Sequence, residues 1–248
     1  MRRATTLAIS AMLLPGALAL GACSGSSTPS SPAATTAAAP AATSPQATAT
    51  TPVASNANLL TGTELKADLA PASYFPSGYT SNASDTRDTG DSLQAPSTSA
   101  VSAPDCTLFG TNGIVTITGV SPVSFAQGDY LDSATSGEYA QEIDVFQGTT
   151  AQSVMNTLGV DGNACPTFPD SQTSSTAKVA ETSSTVAGDP ALVFTVTDGS
   201  WAGGLTIEAV QADHAVVTVM VSDSSSDNGT PQAAKLAATL VANLGGKS

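Results

Sequence analysis

The sequence predicts an α+β fold: an antiparallel β-sheet with helices packed on one face and a single disulfide, preceded by a disordered tether. Three observations predict it. Three apolar, branched segments crowd into residues 191–222 with only short breaks between them, a spacing that allows antiparallel neighbours and no crossover. A closing segment repeats leucine once per helical turn, at Leu236, Leu240 and Leu244. Residues 24–56 are almost entirely Ser, Thr, Ala and Pro, with no bulky apolar periodicity to offset the entropy of ordering.

The chain opens with Met1, Arg2 and Arg3, then runs uncharged to Gly21, the pattern of an export signal. Thr5, Thr6, Ser10 and Pro15 dilute this run below the roughly twenty apolar residues that a membrane span needs. Leu20, Gly21, Ala22 and Cys23 resemble a bacterial lipobox. That resemblance implies cleavage before Cys23 and lipid on its sulfur, with the protein held at the outer face of the cell membrane. Ordinary signal-peptidase cleavage, with Cys23 incidental, is the alternative. The expected organisation is a signal peptide over residues 1–22, a lipidated Cys23 and tether over 23–56, and one domain over 57–248.

Cleavage would remove Arg2 and Arg3 from the 7 basic residues and none of the 20 acidic ones, so 7 − 2 = 5 bases face 20 acids and the net charge moves from −13 to about −15. Such a field repels phosphate backbones and anionic headgroups. Nucleic acid is therefore not an expected partner, and contact with the membrane is left to the lipid. If Cys23 is acylated, Cys106 and Cys165 remain, in a compartment where disulfides persist. Two free thiols or a metal site are the alternatives. His214 is the sole histidine and no C-x-x-C occurs, so neither a metal nor a cofactor is expected.

Along the domain, "TGTELKADLAP" predicts a short helix capped by Thr61 or Thr63 and ended by Pro71. Residues 80–104 read as a polar loop. "GIVTITGV" (113–120) predicts a strand from its branched residues, and "YAQEIDVFQ" (139–147) predicts another, with Ile143 and Val145 inward and Glu142 and Asp144 on a wet side. "TTAQSVMNTLGV" predicts a helix from Thr149 or Thr150 to Gly159. Strands follow at 191–199, 204–211 and 214–222, the last two joined by a turn at Ala212-Asp213. The final helix has Thr230 as its cap, Pro231 in its first turn and Gly245 as terminator.

"LLTGTELKADL", "PSGY", "APDCTLFG", "NACPTF" and the closing hairpin and helix together resemble the actinobacterial lipoproteins whose soluble part is similar to the extracellular sensor domain of mycobacterial serine/threonine kinase H. The resemblance implies an antiparallel sheet with helices around an open cleft, and a ligand-binding role without catalysis. Members of that family often carry two disulfides; here only Cys106 and Cys165 have counterparts. The ligand class expected from it is broad: a small molecule, glycolipid, glycan or envelope protein.

Other motifs offer different chemistry. "GDSL" at 90–93 matches an esterase signature with Ser92 as nucleophile, and His214 is the one base that might serve it, so an envelope hydrolase using Ser92 and His214 is the alternative function. That family's Asp-x-x-His is missing, because Gln211 stands three residues before His214. A structural surface antigen is the third reading. "DSSSDNG" (223–229) suggests a calcium loop, but its glycine is seventh and Ala234 stands where a bidentate glutamate is required. Trp201 either lines a cleft or caps the core.

Overall fold

A computed structural model describes residues 58–245 except residue 112; the predicted signal peptide, Cys23 and the whole tether lie outside the described residues. In chain order the elements are α1 (Gly62–Asp68), β1 (Tyr79–Ser81), β2 (Arg87–Asp88), β3 (Ser97–Thr98), β4 (Val120–Ser121), β5 (Ser124–Asp132), β6 (Gly137–Val145), α2 (Thr150–Ala164), β7 (Thr167–Asp170), β8 (Ser175–Val186), β9 (Asp189–Thr197), β10 (Gly204–Ala212), β11 (Ala215–Asp223) and α3 (Thr230–Leu244). The main sheet runs β1-β5-β6-β11-β10-β9-β8-β7, with β2 also lying on β5, and every pair is antiparallel. β3 and β4 form a separate two-stranded pair.

Side-chain alternation gives the sheet two buried faces. Val217, Val219 and Val221 of β11 join Ile143 and Val145 of β6 under Leu236, Leu240 and Leu244 of α3 and Leu65 of α1. Val216 and Met220 of β11 join Leu205, Ile207 and Phe194 on the opposite side, under Val154, Met155 and Leu158 of α2. The antiparallel α+β class stands, but the helices do not share one face: α1 and α3 cover one side and α2 the other. β10 and β11 are buried at consecutive positions, as strands covered on both faces are. Each fully buried leucine of α3 contributes roughly 2 kcal/mol by removing its surface from water.

Local chemistry sets the helix ends. Thr61 caps α1 and Glu64 reaches back to the Thr61 backbone N–H at 2.8 Å, a reciprocal capping box. In α3, Gly229 is the cap, in the left-handed conformation at φ 78°; Thr230 is the first helical residue and Pro231 sits in the first turn. α2 continues past Gly159 to Ala164. At Gly162 a Cβ would run into Glu181 Oε2 and would meet Phe194 Cε1 at 2.5 Å, so the bare glycine brings the helix close to the sheet.

"GIVTITGV" is not a strand. Ile114–Thr118 forms a 3-10 turn, stopped by Gly119 at φ 71°. Thr116 and Thr118 hydroxyls donate back to the carbonyls of Gly113 and Val115, at 2.7 and 2.9 Å, and stabilise the tight coil against an extended ladder. Cys106 begins a second 3-10 turn, Cys106–Gly110, and Cys165 follows α2 directly. They form a disulfide with Cα atoms 5.4 Å apart, tying the end of α2 to this turn.

Candidate functional site: a buried polar row

The register places one polar row across four strands. Arg87 of β2 lies opposite Gln127 of β5, Gln127 opposite Glu142 of β6, and Glu142 opposite Thr218 of β11. Directly opposed residues point to the same face, so all four share the side that α2 covers farther along the sheet. There the row turns apolar, at Ala209 of β10 and Leu192 of β9. One row over, Asp144 stands between Phe125 and Val216.

This face was expected to be wet at Glu142 and Asp144. It is buried: Glu142 is 9 % exposed, Asp144 2 %, Gln127 2 % and Thr218 2 %. β5 and β11 flank β6 on its two sides, which makes this alternating strand a central one. Arg87 remains exposed and closes the row from outside, donating from Nε to Gln127 Oε1 at 3.2 Å with its guanidinium 5.4 Å from the Phe125 ring centre.

Burial makes these groups electrostatically costly. It pushes Glu142 up to about 7, opposed by the positive charge of Arg87. It pushes Asp144 well above the usual carboxylate range, with the Glu142 charge adding and Arg87 opposing. Glu138 on the same strand face is also raised to about 7, by burial and then by Asp129. Asn82 Nδ2 donates to Asp129 Oδ2 at 3.0 Å and to Asp85 Oδ2 at 2.6 Å, so the far end of the row is a hydrogen-bonded acidic knot.

Glu142 Oε2, Asp144 Oδ2 and Thr218 Oγ1 are buried with no hydrogen-bond partner. Asp129 Oδ1 also lacks a donor while Glu138 is ionised; a proton kept by Glu138 supplies one. Four such atoms therefore lie on this one patch. Buried polar groups are ordinarily bonded, and each exception calls for a partner. Sequence reasoning singled out Glu142 and Asp144 but missed Arg87, Gln127 and Thr218, because these cross-strand neighbours are 15 to 76 residues apart in the chain and only the register reveals them.

The hydrolase pair is not assembled. Ser92 is exposed in the loop beyond β2. His214 sits at the turn into β11, two strand spacings or about 10 Å across the sheet from β5. Its Nδ1 is 2.9 Å from the Gly148 carbonyl oxygen, and no hydrogen bond joins it to Ser92. In "DSSSDNG", Asp223 Oδ1 accepts from the Ser225 N–H and Asp227 Oδ1 from the Gly229 N–H, which makes it a helix-entry loop. No group of three or more His, Cys, Asp or Glu fit to hold a metal occurs among the described residues. Trp201 packs against the α2-side core and donates from Nε1 to Asp170 Oδ2 at 2.9 Å. A groove of about 140 Å³ lies elsewhere, between the β3–β4 pair and Phe146, with Val120 and Val123 in its walls.

Fold and site together define a disulfide-tied, antiparallel α+β domain with a buried polar face and no assembled nucleophile–base pair at Ser92 and His214. Its fold is similar to the crystal structure of the extracellular domain of PknH from Mycobacterium tuberculosis, at 15% sequence identity and a TM-score of 0.50, over 74% of this chain and 97% of that one. At that identity the likeness is one of fold. No family model matches the chain, and no curated relative does. No helix among the described residues is long and apolar enough to cross a membrane.

Proposed function

We propose that the protein is a lipid-anchored envelope lipoprotein, and that its folded domain is a non-catalytic, sensor-like module that binds a ligand at the cell's outer face. The binding reading is carried by one observation: the unpartnered oxygens of Glu142, Asp144 and Thr218 on a single sheet face. A domain built only for stability gains nothing from these groups, since apolar residues of similar volume would avoid their desolvation. The likeness to an extracellular domain and the Cys106–Cys165 disulfide support an exported location. Anchoring rests on the lipobox at Leu20–Cys23 and on a tether whose 33 residues, as a coil, span roughly 30 Å.

The test is to express the full chain in an actinobacterial host and fractionate the cells. A membrane-bound product whose N-terminal peptide carries acyl chains on Cys23, and a Cys23→Ala product that no longer carries them, is the expected result. An unacylated wild-type protein recovered from the medium would overturn the anchoring.

A further inference from the structure

Ligand binding at the polar row leaves open which chemistry the row recognises. Three oxygens lack a partner, two from carboxyl groups and one from a hydroxyl: Glu142 Oε2, Asp144 Oδ2 and Thr218 Oγ1. Glu142 and Thr218 are direct cross-strand neighbours, and Asp144 is two residues along the same strand, about 7 Å away and on the same face. All three can accept hydrogen bonds. Arg87 is the cation that acts on both Glu142 and Asp144, and its guanidinium is already engaged with Gln127 and the Phe125 ring.

Charge balance narrows the choice further. Two buried carboxylates against one guanidinium leave an excess negative charge, so in the free protein one of the two acids keeps its proton. A ligand that brings one positive charge and several N–H donors can take that proton's place. A metal ion fits less well, because two carboxylates beside a guanidinium fall short of the ligand set that hard cations require.

We propose that Glu142, Asp144 and Thr218 form a subsite for a primary ammonium group, which binds in exchange for a proton. The three N–H donors of such a group match the three unpartnered acceptors in number, and its charge balances the second carboxylate. The most exposed acid on this strand face is Glu138, which is half-buried, so entry is from the Glu138 end of the row. The ammonium could belong to a free amine or to a lipid headgroup; the chemistry recognised is the same.

This rests on the binding role proposed above, and the experiment separates the two. Residues 57–248, with the disulfide intact, are titrated calorimetrically with methylammonium and ethanolamine, and with ethylene glycol and glucose as uncharged probes, in two buffers of different ionisation enthalpy. The expected result is saturable binding of the amines at millimolar concentration. More protons should leave per amine bound at pH 6 than at pH 8.5. Glu142→Gln, Asp144→Asn and Thr218→Val should each weaken it at least tenfold; near-ultraviolet circular dichroism checks that each variant is folded. Ethanolamine-headgroup vesicles, compared with choline-headgroup vesicles, then distinguish a lipid source from a free amine. No amine binding, amine binding unchanged in all three variants, or calcium binding that these substitutions abolish would overturn the ammonium assignment. Glucose or glycol binding lost in the same variants would also overturn it, while leaving the row as a ligand site.

Discussion

Stability against pH is the most direct test of how the polar row is buried. Glu142 has an ordinary value near 4.5 and is pushed up to about 7 in the folded chain. Between those values the folded state holds a proton that the unfolded state releases. The contribution is therefore fully present below pH 4.5 and is lost as pH rises through 7. At 1.36 kcal/mol per pH unit, the window amounts to about 3 kcal/mol. Asp144, displaced in the same direction by the same cause, adds to the slope. Glu138 adds less, because it is in part open to solvent screening. Glu142→Gln keeps the side-chain volume and removes the titration. Urea unfolding followed by fluorescence at intervals from pH 4.5 to 8.5 reads the effect. With a slope of about 2 kcal/mol per molar urea, the wild-type midpoint should fall by about 1.5 M across the range. Glu142→Gln should flatten much of that fall and be the more stable protein at pH 8. A wild-type midpoint that rises or stays level between pH 4.5 and 7.5 would refute the reasoning, as would a variant that keeps the full slope.

Other outcomes are equally open to measurement. Reducing Cys106–Cys165, which closes a sequence separation of 59, should cost about 4 kcal/mol in the chain-entropy account, read as a lower urea midpoint; no change on reduction would show that the loop is already restrained in the unfolded chain. Gly162→Ala drives a methyl group toward the fully buried Phe194 ring and should cost about 1 to 3 kcal/mol, whereas Gly188→Ala, in open space at a turn, should create no clash and pay only for its backbone angle. Hydrolysis of short-chain esters by residues 57–248 should be absent, and any trace should survive Ser92→Ala, since Ser92 is exposed and unconnected to His214; activity abolished by that substitution would reinstate the hydrolase.

Local signals in the sequence were read well where one residue decides the outcome. The Thr61 cap, the leucine stripe of α3 and the close-set strands β9, β10 and β11 all follow from chemistry within a few residues. Misreadings came from partners distant in sequence and from side-chain bonds that compete with the ladder. Alternation in β6 suggests a wet side, but β6 lies between β5 and β11 and its acids are buried. Branched residues in Ile114–Thr118 favour extension, but their threonine hydroxyls bond locally and coil the segment. β8 was not anticipated, because its Ser, Thr and Ala residues look like a loop until β7 and β9 supply ladders on either side. Gly159 looked like a stop signal for α2, yet it and Gly162 serve as contact points against the sheet. The site was half legible: its acids stand out in sequence, and its cation and hydroxyl do not.

The strand order divides the sheet into two parts of local origin. β5 and β6 form one hairpin, and β7 through β11 form a continuous meander in which each strand pairs with its sequence neighbour. A single seam joins them, β6 against β11, where Gln141 meets Val219 across 78 residues of chain. Closing that seam carries the largest entropic penalty in the topology, so it sets the pace of folding. Glu142 and Thr218 straddle this suture, and whatever satisfies their oxygens also fastens the two halves of the molecule together.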